Sequence, residues 1–363
     1  MNILLVRLRE IGDVVFTTPA LRAVRHRFPG ARIAYLVEPL AAPVVASSRH
    51  VDELIVAPRA GLVSDIRLGL RLRAQHYDLV VDFHGGPRAS LLAWLSGAPR
   101  RIGYAVRGRA WMYTTQVPRP RTIRPRHAVE NQWDLLTAID VPAPSPAADP
   151  VEMPIDPQAA AAIADRLRIA GLPATARLVV VHVSAGNPFR RWPQDSFAEV
   201  TAALISHHQD VRVVIVSGPS ERDAAARVIQ NARERMPSAK HESVLSIGEC
   251  SLAELRALID RASLFIGGDS GPLHIAATSA IPIVGLYGPT LPVRSAPWRS
   301  PMLATESVDG GPLVCRPCDQ RVCAPGDFRC LTRIAPGAVV AAAERSLAAA
   351  AVQAASSGLS SRV

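Results

Sequence analysis

The sequence predicts an α/β protein with two domains, each built around a doubly wound parallel sheet. Short apolar runs, which are typical of buried strands, alternate with helical patterns along most of the 363 residues. This alternation is interrupted once, where residues 141–157 contain six prolines, and it then resumes, as expected for a linker between two domains. The length also allows each domain its own hydrophobic core.

The first half of the chain contains four predicted strands and four predicted helices, most of them in alternation. Apolar runs predict strands at residues 3–8, 32–37, 53–57 and 78–83. Helical patterns follow at residues 18–28, 63–75, 89–96 and 127–139. The first helix has a defined start, because Thr18 suits the N-cap and Pro19 the first helical position. We therefore assign residues 1–145 to a Rossmann-like N-terminal domain and residues 146–157 to a proline-rich linker.

The second half repeats the same alternation. Strands are predicted at residues 178–183, 211–217, 244–247, 264–266 and 281–286. Helices are predicted at residues 158–170, 195–207, 251–261 and 273–279, with one more after Ser220. Ser251 and Glu254 form a capping-box pattern at the start of one of them. We assign residues 158–335 to a Rossmann-like C-terminal domain and residues 336–363 to an alanine-rich helix and a tail.

The stretch 264–289 is the strongest candidate for a ligand site. It reads as a strand, a glycine turn, a short helix and a second strand, and ligands of parallel sheets bind at such turns. Gly271 lets the backbone approach an anion, and Ser270 is placed to cap the helix and to donate to a phosphate oxygen. His274 is expected to face the same position one turn along. Asp269 is suited to support the turn or to bind ribose or sugar hydroxyl groups.

Three further loops follow predicted strands and carry polar side chains. Arginines in the loop 184–193, of which Arg190 is one, suit a pyrophosphate whose charge grows as a nucleotide leaves. Glu221 follows another strand, where a first-turn acid is also favoured by the helix dipole. Asp13 follows the first strand. A carboxylate there either caps the next helix or accepts a proton from a bound hydroxyl group.

Charge is distributed unevenly along the chain. The formal net charge is +10, and residues 1–150 hold 20 arginines and 12 acids, a net charge of +8. The first half is therefore expected to meet an anionic partner, such as nucleic acid, an anionic membrane surface or a phosphorylated glycolipid. Phe, Trp and Tyr make up only 5% of residues, which argues against single-stranded nucleic acid. We see no signal peptide and no spanning helix in the sequence, so a cytoplasmic location is expected.

Four of the five cysteines lie close together in the sequence. Cys315, Cys318, Cys323 and Cys330 follow a C-x2-C-x4-C-x6-C spacing. In a cytoplasmic chain such a cluster suggests a structural metal site, with zinc the first choice, and a disulfide is disfavoured. Only the first pair has a familiar zinc-knuckle spacing, so reduced structural thiols and a redox role stay open.

Two of these segments resemble glycosyltransferase family 9, the lipopolysaccharide heptosyltransferases. The residues are RLREIGDVVFTTPALRAVRHRFPGARIAYLVEP near the start and GDSGPLH in the glycine turn. The resemblance implies GT-B architecture, with two Rossmann-like domains facing a central cleft. It also implies that Asp13 is the general base, that Gly12 and Arg9 lie at the acceptor, and that Arg190, where the family usually has lysine, assists catalysis. The implied donor-binding residues are Ser184, Arg190, Glu221, Asp269, Ser270, Gly271 and His274.

The same resemblance implies a function. We expect an inverting transfer of a heptose or related sugar from an ADP-activated donor to a lipopolysaccharide-type or other surface-glycan acceptor. The basic first domain is expected to hold the phosphorylated acceptor at the cytoplasmic face of the inner membrane. Because arginine and helix-start amides would neutralise the pyrophosphate, no divalent metal or other cofactor is expected for catalysis, and no nucleic acid partner is expected.

Two other classes of protein share features with this sequence. Glu38 ends the second strand about 25 residues past Gly12 and imitates the ribose-binding acid of nicotinamide-dependent oxidoreductases. The first turn, however, has one glycine where that fingerprint has three. A non-catalytic protein that binds nucleotide sugars or nucleic acid also fits the basic first half. Mutation of Asp13 separates this class from an enzyme, which would lose turnover and keep nucleotide affinity.

Overall fold

The computed structural model describes residues 1–119 and 126–360, with side chains except at residues 219 and 350–360. The chain divides into two compact units, Met1–Pro154 and Ile155–Val363. Most of the proline-rich segment therefore belongs to the first unit, in which Val151 and Met153 are buried. Residues 361–363 of the predicted tail lie outside the described residues.

The first unit contains a parallel sheet in the order β3-β2-β1-β4-β5-β6. Its strands are β1 (Asn2–Val6), β2 (Arg32–Val37), β3 (Glu53–Val56), β4 (Leu79–Asp82), β5 (Arg100–Tyr104) and β6 (Thr115–Val117). Its α-helices, within the described residues, are α1 (Ile11–Val15), α2 (Thr18–Arg27), α3 (Leu62–Arg73), α4 (Pro87–Leu95) and α5 (Ala128–Trp133). Central strand β1 pairs in register with both neighbours, so that Ile3 lies beside Ile33 and Leu79.

The sequence patterns found most of this unit and missed three of its elements. Strands β5 and β6 were not predicted, because β5 starts with two arginines and contains a glycine, and β6 has three residues. Helix α1 lies in a segment that the sequence predicts as a loop. The N-cap of α2 is Thr17, so the prediction of Thr18 was wrong by one residue. The predicted helix 127–139 is α5 followed by a 3-10 helix at Asp134–Ile139.

The second unit repeats the strand order of the first. Its parallel sheet runs β12-β11-β10-β7-β8-β9, which is the same winding counted from β7. The strands are β7 (Arg177–His182), β8 (Val211–Val216), β9 (Val244–Leu245), β10 (Leu264–Gly268), β11 (Ile283–Tyr287) and β12 (Thr305–Asp309). The described α-helices are α6 (Pro157–Ile169), α7 (Gln194–His207), α8 (Arg222–Glu234), α9 (Leu252–Asp260), α10 (Gly271–Ala276), α11 (Pro292–Ser295), α12 (Arg329–Thr332) and α13 (Pro336–Ser360).

The packing of the second unit explains why five of its six strands were predicted, whereas the short helices α11 and α12 were not. Strands β7, β8 and β10 are apolar and almost wholly buried, and a buried parallel strand reads as a continuous apolar run. The capping box at Ser251 and Glu254 is present. Edge strand β12 was missed because its sequence, TESVD, is mostly polar. Helix α13 packs Val339, Ala343 and its neighbours into the same core.

Both units thus confirm the prediction of doubly wound parallel sheets. In a sheet of this order, strands are added outward in one direction from β1 and in the other from β4, and the same change occurs between β7 and β10. The loops that leave these strands diverge at that point and open a crevice, in which such sheets bind their ligands. The fold therefore directs attention to two pairs of loops, one pair in each unit.

Candidate active site

In the first unit, the loop that leaves β1 carries an ion pair at the crevice. Asp13 lies in the first turn of α1, and its Oδ2 atom contacts the guanidinium of Arg7. Arg7 also donates from Nη1 to the Phe83 carbonyl at the end of β4, over 2.6 Å. The arginine side chain is 11% exposed and the carboxylate side chain 38% exposed. The pair therefore ties both loops together and presents its anionic member to solvent.

The loop after β4 is held by a buried carboxylate. Asp82 accepts hydrogen bonds from the backbone N–H groups of His84 and Gly85, at 2.8 and 2.9 Å. It also accepts from the Tyr113 hydroxyl at 2.5 Å, and that hydroxyl lies 2.7 Å from the hydroxyl of Ser90. Burial raises the pKa of Asp82, although these donors and the charge of Arg7 oppose the shift. The network fixes the loop in which Gly85 adopts φ of +62°.

His84 brings an imidazole to the same crevice. Burial, together with the charges of Arg7 and Arg9, lowers its pKa to about 4, against smaller opposing effects of Asp13 and of a hydrogen bond with the Arg9 backbone. His84 is therefore neutral near pH 7. Of the residues predicted at the acceptor, Arg9 is exposed and Gly12 is buried inside α1. The structure thus brings Arg9 and Asp13 together with two groups that were not predicted, Arg7 and His84.

In the second unit, Arg190 lies where the loops after β7 and β10 meet. Its Nη1 donates to the Asp269 carbonyl at 3.1 Å and lies 3.3 Å from the Asp269 carboxylate. Its Nε donates to Gln320 Oε1 at 2.7 Å. The backbone of the two loops is also close, because a Cβ on Gly268 would lie 3.2 Å from the Arg190 carbonyl oxygen. Glycine is therefore favoured at the end of β10.

Asp269 is a buried support for this arrangement, with a relative exposure of 1%. Its carboxylate accepts from the Thr290 hydroxyl and lies 3.5 Å from His274 Nε2. Burial opposes its ionisation, but His274, Arg190 and Thr290 together outweigh burial and lower its pKa to about 2. Of the two roles predicted for Asp269, its burial fits support of the turn, and direct contact with a hydroxyl of the ligand is not favoured.

Ser270 and Gly271 begin α10 at the mouth of the crevice. Ser270 occupies the N-cap position as predicted, but its hydroxyl makes no capping hydrogen bond. It donates instead to the Gly268 carbonyl at 3.2 Å. The capping part of the prediction for Ser270 was therefore wrong, because a nearer carbonyl takes the hydroxyl proton. The backbone N–H groups at the start of the helix have positive partial charge and suit an anion.

The predicted residues Ser184 and Glu221 lie together at the ends of β7 and β8. Ser184 Oγ accepts from the Gly218 N–H at 2.9 Å and lies 3.3 Å from His182 Nε2. Glu221 is buried, with a relative exposure of 7%, and pairs with Arg191 at 2.8 Å. Each of these polar groups already holds a neighbouring loop, so the edge of the site is ordered before a ligand arrives.

The four clustered cysteines are not arranged as the predicted metal site would require. Cys315, Cys318, Cys323 and Cys330 are free thiols, all partly buried. Burial raises the pKa of Cys330, and neighbouring cysteines add to the shift. Within residues 1–119 and 126–360, however, no group of three or more His, Cys, Asp or Glu side chains is arranged to hold a metal ion. The arrangement gives no support to the zinc site that the spacing suggested.

Several site residues had no local signal in the sequence. Arg7 lies at the end of an apolar strand, and only the parallel pairing of β1 with β4 places it beside Phe83. Thr290 and Gln320 come from distant loops, 21 and 51 residues beyond Asp269. A contact between such loops depends on tertiary structure. The arginine pair in the loop 184–193 was visible in the sequence, and Arg191 binds the predicted Glu221.

The structure also bears on the oxidoreductase alternative. Glu38, which imitates a ribose-binding acid, pairs with Arg59 at 3.0 Å and with Arg88 at 2.9 Å. Arg88 in turn pairs with Asp65 at 2.8 Å. Glu38 therefore joins β2 to α3 and α4 through arginines. A structural ion-pair network accounts for this residue without a dinucleotide.

Comparison with protein families identifies the fold and the class of enzyme. The family model described as glycosyltransferase family 9 (heptosyltransferase) matches residues 66–324, more than half of the chain. The chain belongs to glycosyltransferase family 9. It is a glycosyltransferase of GT-B fold, and the family confirms both the resemblance seen in the sequence and the assignment as an enzyme.

Individual relatives agree with this family assignment. The chain is 28% identical to lipopolysaccharide heptosyltransferase 3 of Escherichia coli over 308 residues, covering 82% of this chain and 86% of that protein. The solved structure of a family 9 glycosyl transferase from Veillonella parvula superposes with a TM-score of 0.82 at 24% identity, covering 95% and 97% of the two chains. The E. coli heptosyltransferase WaaC with ADP-2-deoxy-2-fluoro heptose gives 0.64 at 19% identity, covering 93% and 98%.

Proposed function

We propose that this family 9 enzyme transfers a heptose from an ADP-linked donor to a lipopolysaccharide-type acceptor, with inversion at the anomeric carbon. The observation that carries the proposal is the pairing of charges at the two crevices. The first unit presents the Asp13 carboxylate, and the second unit presents the Arg190 guanidinium. The names of the relatives support both the donor and the acceptor. E. coli WaaC was solved with ADP-2-deoxy-2-fluoro heptose, and a relative from E. coli is named a lipopolysaccharide heptosyltransferase.

The second unit is the proposed donor site. Arg190 uses Nε and Nη1 within the protein, and within the described residues its Nη2 makes no hydrogen bond, which leaves it available for a diphosphate oxygen. The N–H groups that begin α10 at Gly271 and the Ser184 hydroxyl are proposed to bind the remaining phosphate oxygens. Glu221 is proposed to accept from the ribose hydroxyls, with Arg191 holding its carboxylate. Asp269 and His274 are assigned a supporting role.

The first unit is the proposed acceptor site, and Asp13 its general base. As the acceptor hydroxyl oxygen forms its bond to the anomeric carbon, the bond to the diphosphate breaks and the hydroxyl proton passes to Asp13. Arg7 holds one carboxylate oxygen, so the other is directed toward the hydroxyl. The departing ADP carries the electron pair of the broken bond, and the cationic donor site stabilises that charge. Arg9 is proposed to contact the acceptor.

Location and partners follow from the acceptor. We propose that the enzyme works at the cytoplasmic face of the inner membrane, in peripheral contact with it, and binds no nucleic acid. No helix in the described part of the chain is long and apolar enough to cross a membrane. The net charge of +8 on residues 1–150 supports contact with an anionic glycolipid and its membrane.

We propose that catalysis requires no divalent metal or organic cofactor, since arginine and amide groups supply the positive charge at the diphosphate. For the four clustered cysteines we propose reduced structural thiols. Metal analysis of purified protein tests this assignment, and stoichiometric zinc or iron would contradict it. Addition of a chelator tests the catalytic part separately. Activity that a chelator abolishes and magnesium restores would refute it.

A thermal-shift panel with ADP-, UDP-, GDP- and CMP-linked sugars tests the donor. A ligand that binds the folded state raises the melting temperature in proportion to ln(1 + [L]/Kd). We expect the largest shift with the ADP-linked sugar and a much smaller shift in an Arg190→Ala variant. Equal shifts with all four nucleotides, or a larger one with another nucleotide, would reject the ADP donor.

A further inference from the structure

Helix α3 has two apolar sides, and only one of them is used by the protein. Leu68 and Leu72 are buried against the sheet side of the first unit. Leu62, Ile66 and Leu70 are 64%, 42% and 57% exposed. Their spacing of four residues places these three side chains in one row along the helix. An exposed apolar row of this kind marks an interaction surface.

Arginines lie along one side of this row and at its end. Arg67, Arg71 and Arg73 are exposed on the same helix. At 100° per residue, Arg67 and Arg71 lie along one side of the row, and Arg73 lies in line with the row beyond Leu70. The one acidic residue of α3, Asp65, is paired with Arg88. The surface therefore combines apolar side chains with uncompensated positive charge.

We infer that this face of α3, which we define as Leu62, Ile66, Leu70, Arg67 and Arg71, docks on an anionic lipid surface. Apolar side chains beside arginines are the composition of helices that lie in the membrane interface. A second copy of this chain is a poorer occupant, because two such faces would bring their arginines together with no acidic partner. The inference names the surface for the membrane contact proposed above, and it rests on that part of the proposed function.

Vesicle co-sedimentation tests the surface without any substrate. We expect the protein to bind vesicles of phosphatidylethanolamine with phosphatidylglycerol, and not phosphatidylcholine vesicles. Leu62→Ser, Ile66→Ser and Leu70→Ser combined should weaken binding at least tenfold. Arg67→Glu with Arg71→Glu should weaken it about fivefold per arginine and reduce its salt dependence. These side chains are exposed, so the variants are expected to fold.

Helix α6 offers a matched control. Ile169 and Arg168 are exposed on it, and Ile169→Ser with Arg168→Glu should leave vesicle binding unchanged. Turnover of a deacylated, water-soluble acceptor should also survive the α3 changes. Wild-type binding by the triple α3 variant would overturn the inference. A dimer in solution that the triple variant dissociates would assign the face to a second copy. If the unmodified protein bound vesicles as expected but transferred no sugar, that result would count against the transferase proposal alone.

A second observation concerns the cysteine-rich segment, residues 315–330, which packs on the donor site. Gln320 Oε1 accepts from Arg190 Nε at 2.7 Å and from Asn187 Nδ2 at 2.9 Å. Gln320 has φ of +60°, a conformation that residues with a side chain adopt mainly where their surroundings hold it. The buried Arg316 anchors the same segment by donating to the Thr290 carbonyl at 2.9 Å.

We propose that Gln320 is a positioning residue for Arg190. With Asp269 on Nη1 and Gln320 on Nε, the guanidinium is held from two directions. A planar group fixed in this way loses little further freedom when it binds a diphosphate, so affinity rises without an additional contact. The proposal rests on Arg190 as a donor-binding residue. It assigns the cysteine-rich segment a role in the order of the donor site.

A double-mutant cycle tests Gln320. We expect Gln320→Ala to raise the donor KM about tenfold in the wild-type background and to have little effect in an Arg190→Ala background. Arg321→Ala, an exposed change in the same segment, is the control and should leave KM unchanged in both. Equal effects of Gln320→Ala in the two backgrounds would mean that it acts independently of Arg190 and would overturn the proposal. An Arg190→Ala variant with a normal donor KM would instead refute the donor site itself.

Discussion

The two units have one topology and opposite arrangements of charge. Each sheet follows the same strand order, and each places an arginine–aspartate pair where the loops diverge. In the first unit the arginine, Arg7, is 11% exposed and the carboxylate of Asp13 is 38% exposed. In the second unit the carboxylate of Asp269 is 1% exposed and Arg190 is 29% exposed. The same pair of groups thus presents an anion in one unit and a cation in the other.

This reversal matches the chemistry of sugar transfer. A general base must be an accessible anion, whereas a leaving diphosphate needs an accessible cation. In each unit the more buried partner holds the other in place through additional bonds, Arg7 to Phe83 and Asp269 to Thr290. A buried charge is tolerated because it is paired and hydrogen-bonded. One fold therefore serves two roles according to which partner is buried.

The largest effect is expected when the exposed anion is removed. Asp13→Asn keeps the shape of the side chain and abolishes its capacity to accept a proton. We expect kcat to fall by about 10²–10⁴, with donor affinity in the thermal-shift assay unchanged. The exposed Asp140, in the same unit, provides an Asp140→Asn control with normal kcat. If Asp13→Asn turned over at the wild-type rate, the base would have to be another group.

Removal of the exposed cation should have the next largest effect. Arg190→Ala deletes the charge at the proposed diphosphate site, and we expect the donor Kd to rise about 10- to 100-fold, as for a lost charge-assisted hydrogen bond. Arg190→Lys keeps the charge without the planar fork, so an intermediate affinity is expected. Isothermal titration with ADP measures both. An unchanged Kd in Arg190→Ala would place the diphosphate elsewhere.

The buried anion should be visible as a pH dependence of stability. The pKa of Asp269 is about 2 in the folded protein, against 3.8 for the free side chain. Because the folded pKa is the lower one, its contribution is fully present above pH 4 and is lost as the pH falls toward 2. This corresponds to about 2 kcal/mol of unfolding free energy. Urea unfolding of the wild type between pH 5 and 2.5, beside Asp269→Asn, measures it, and parallel pH profiles would contradict the assignment.

The sequence was sufficient to locate most strands and three of the four loops that form the two crevices, the loop after β4 being the exception. Apolar runs at 32–37 and 178–183 predicted strands β2 and β7 to within one residue at each end, because buried parallel strands have a simple pattern. Strands β5, β6 and β12 contain polar residues and lack this continuous apolar pattern, so they were not predicted. Their pairing is set by neighbours already in the sheet.

For the site, the sequence located residues and could not assign their burial. Asp13 and Asp269 both follow apolar strands, and nothing in the adjacent residues shows that one is accessible and the other enclosed. The difference arises from distant partners, since Thr290 encloses Asp269 and the β4 loop supports Arg7. The Ser270 hydroxyl was misassigned for a similar reason, because its choice between two nearby backbone partners depends on local geometry.

The smallest expected effect concerns His84, the imidazole beside the exposed anion. Its pKa of about 4 keeps it neutral in the folded enzyme above about pH 5, so it contributes no charge change in the working range of a base near neutrality. His84→Gln keeps a polar side chain of similar reach, and the shape of its kcat profile from pH 6 to 9 should match that of the wild type. A profile that loses an inflection near pH 6.5 would show that His84 titrates close to its ordinary pKa. The first unit would then present a titrating cation beside its anion, and the contrast between the two units would be weaker than the exposure of Asp13 and Arg190 indicates.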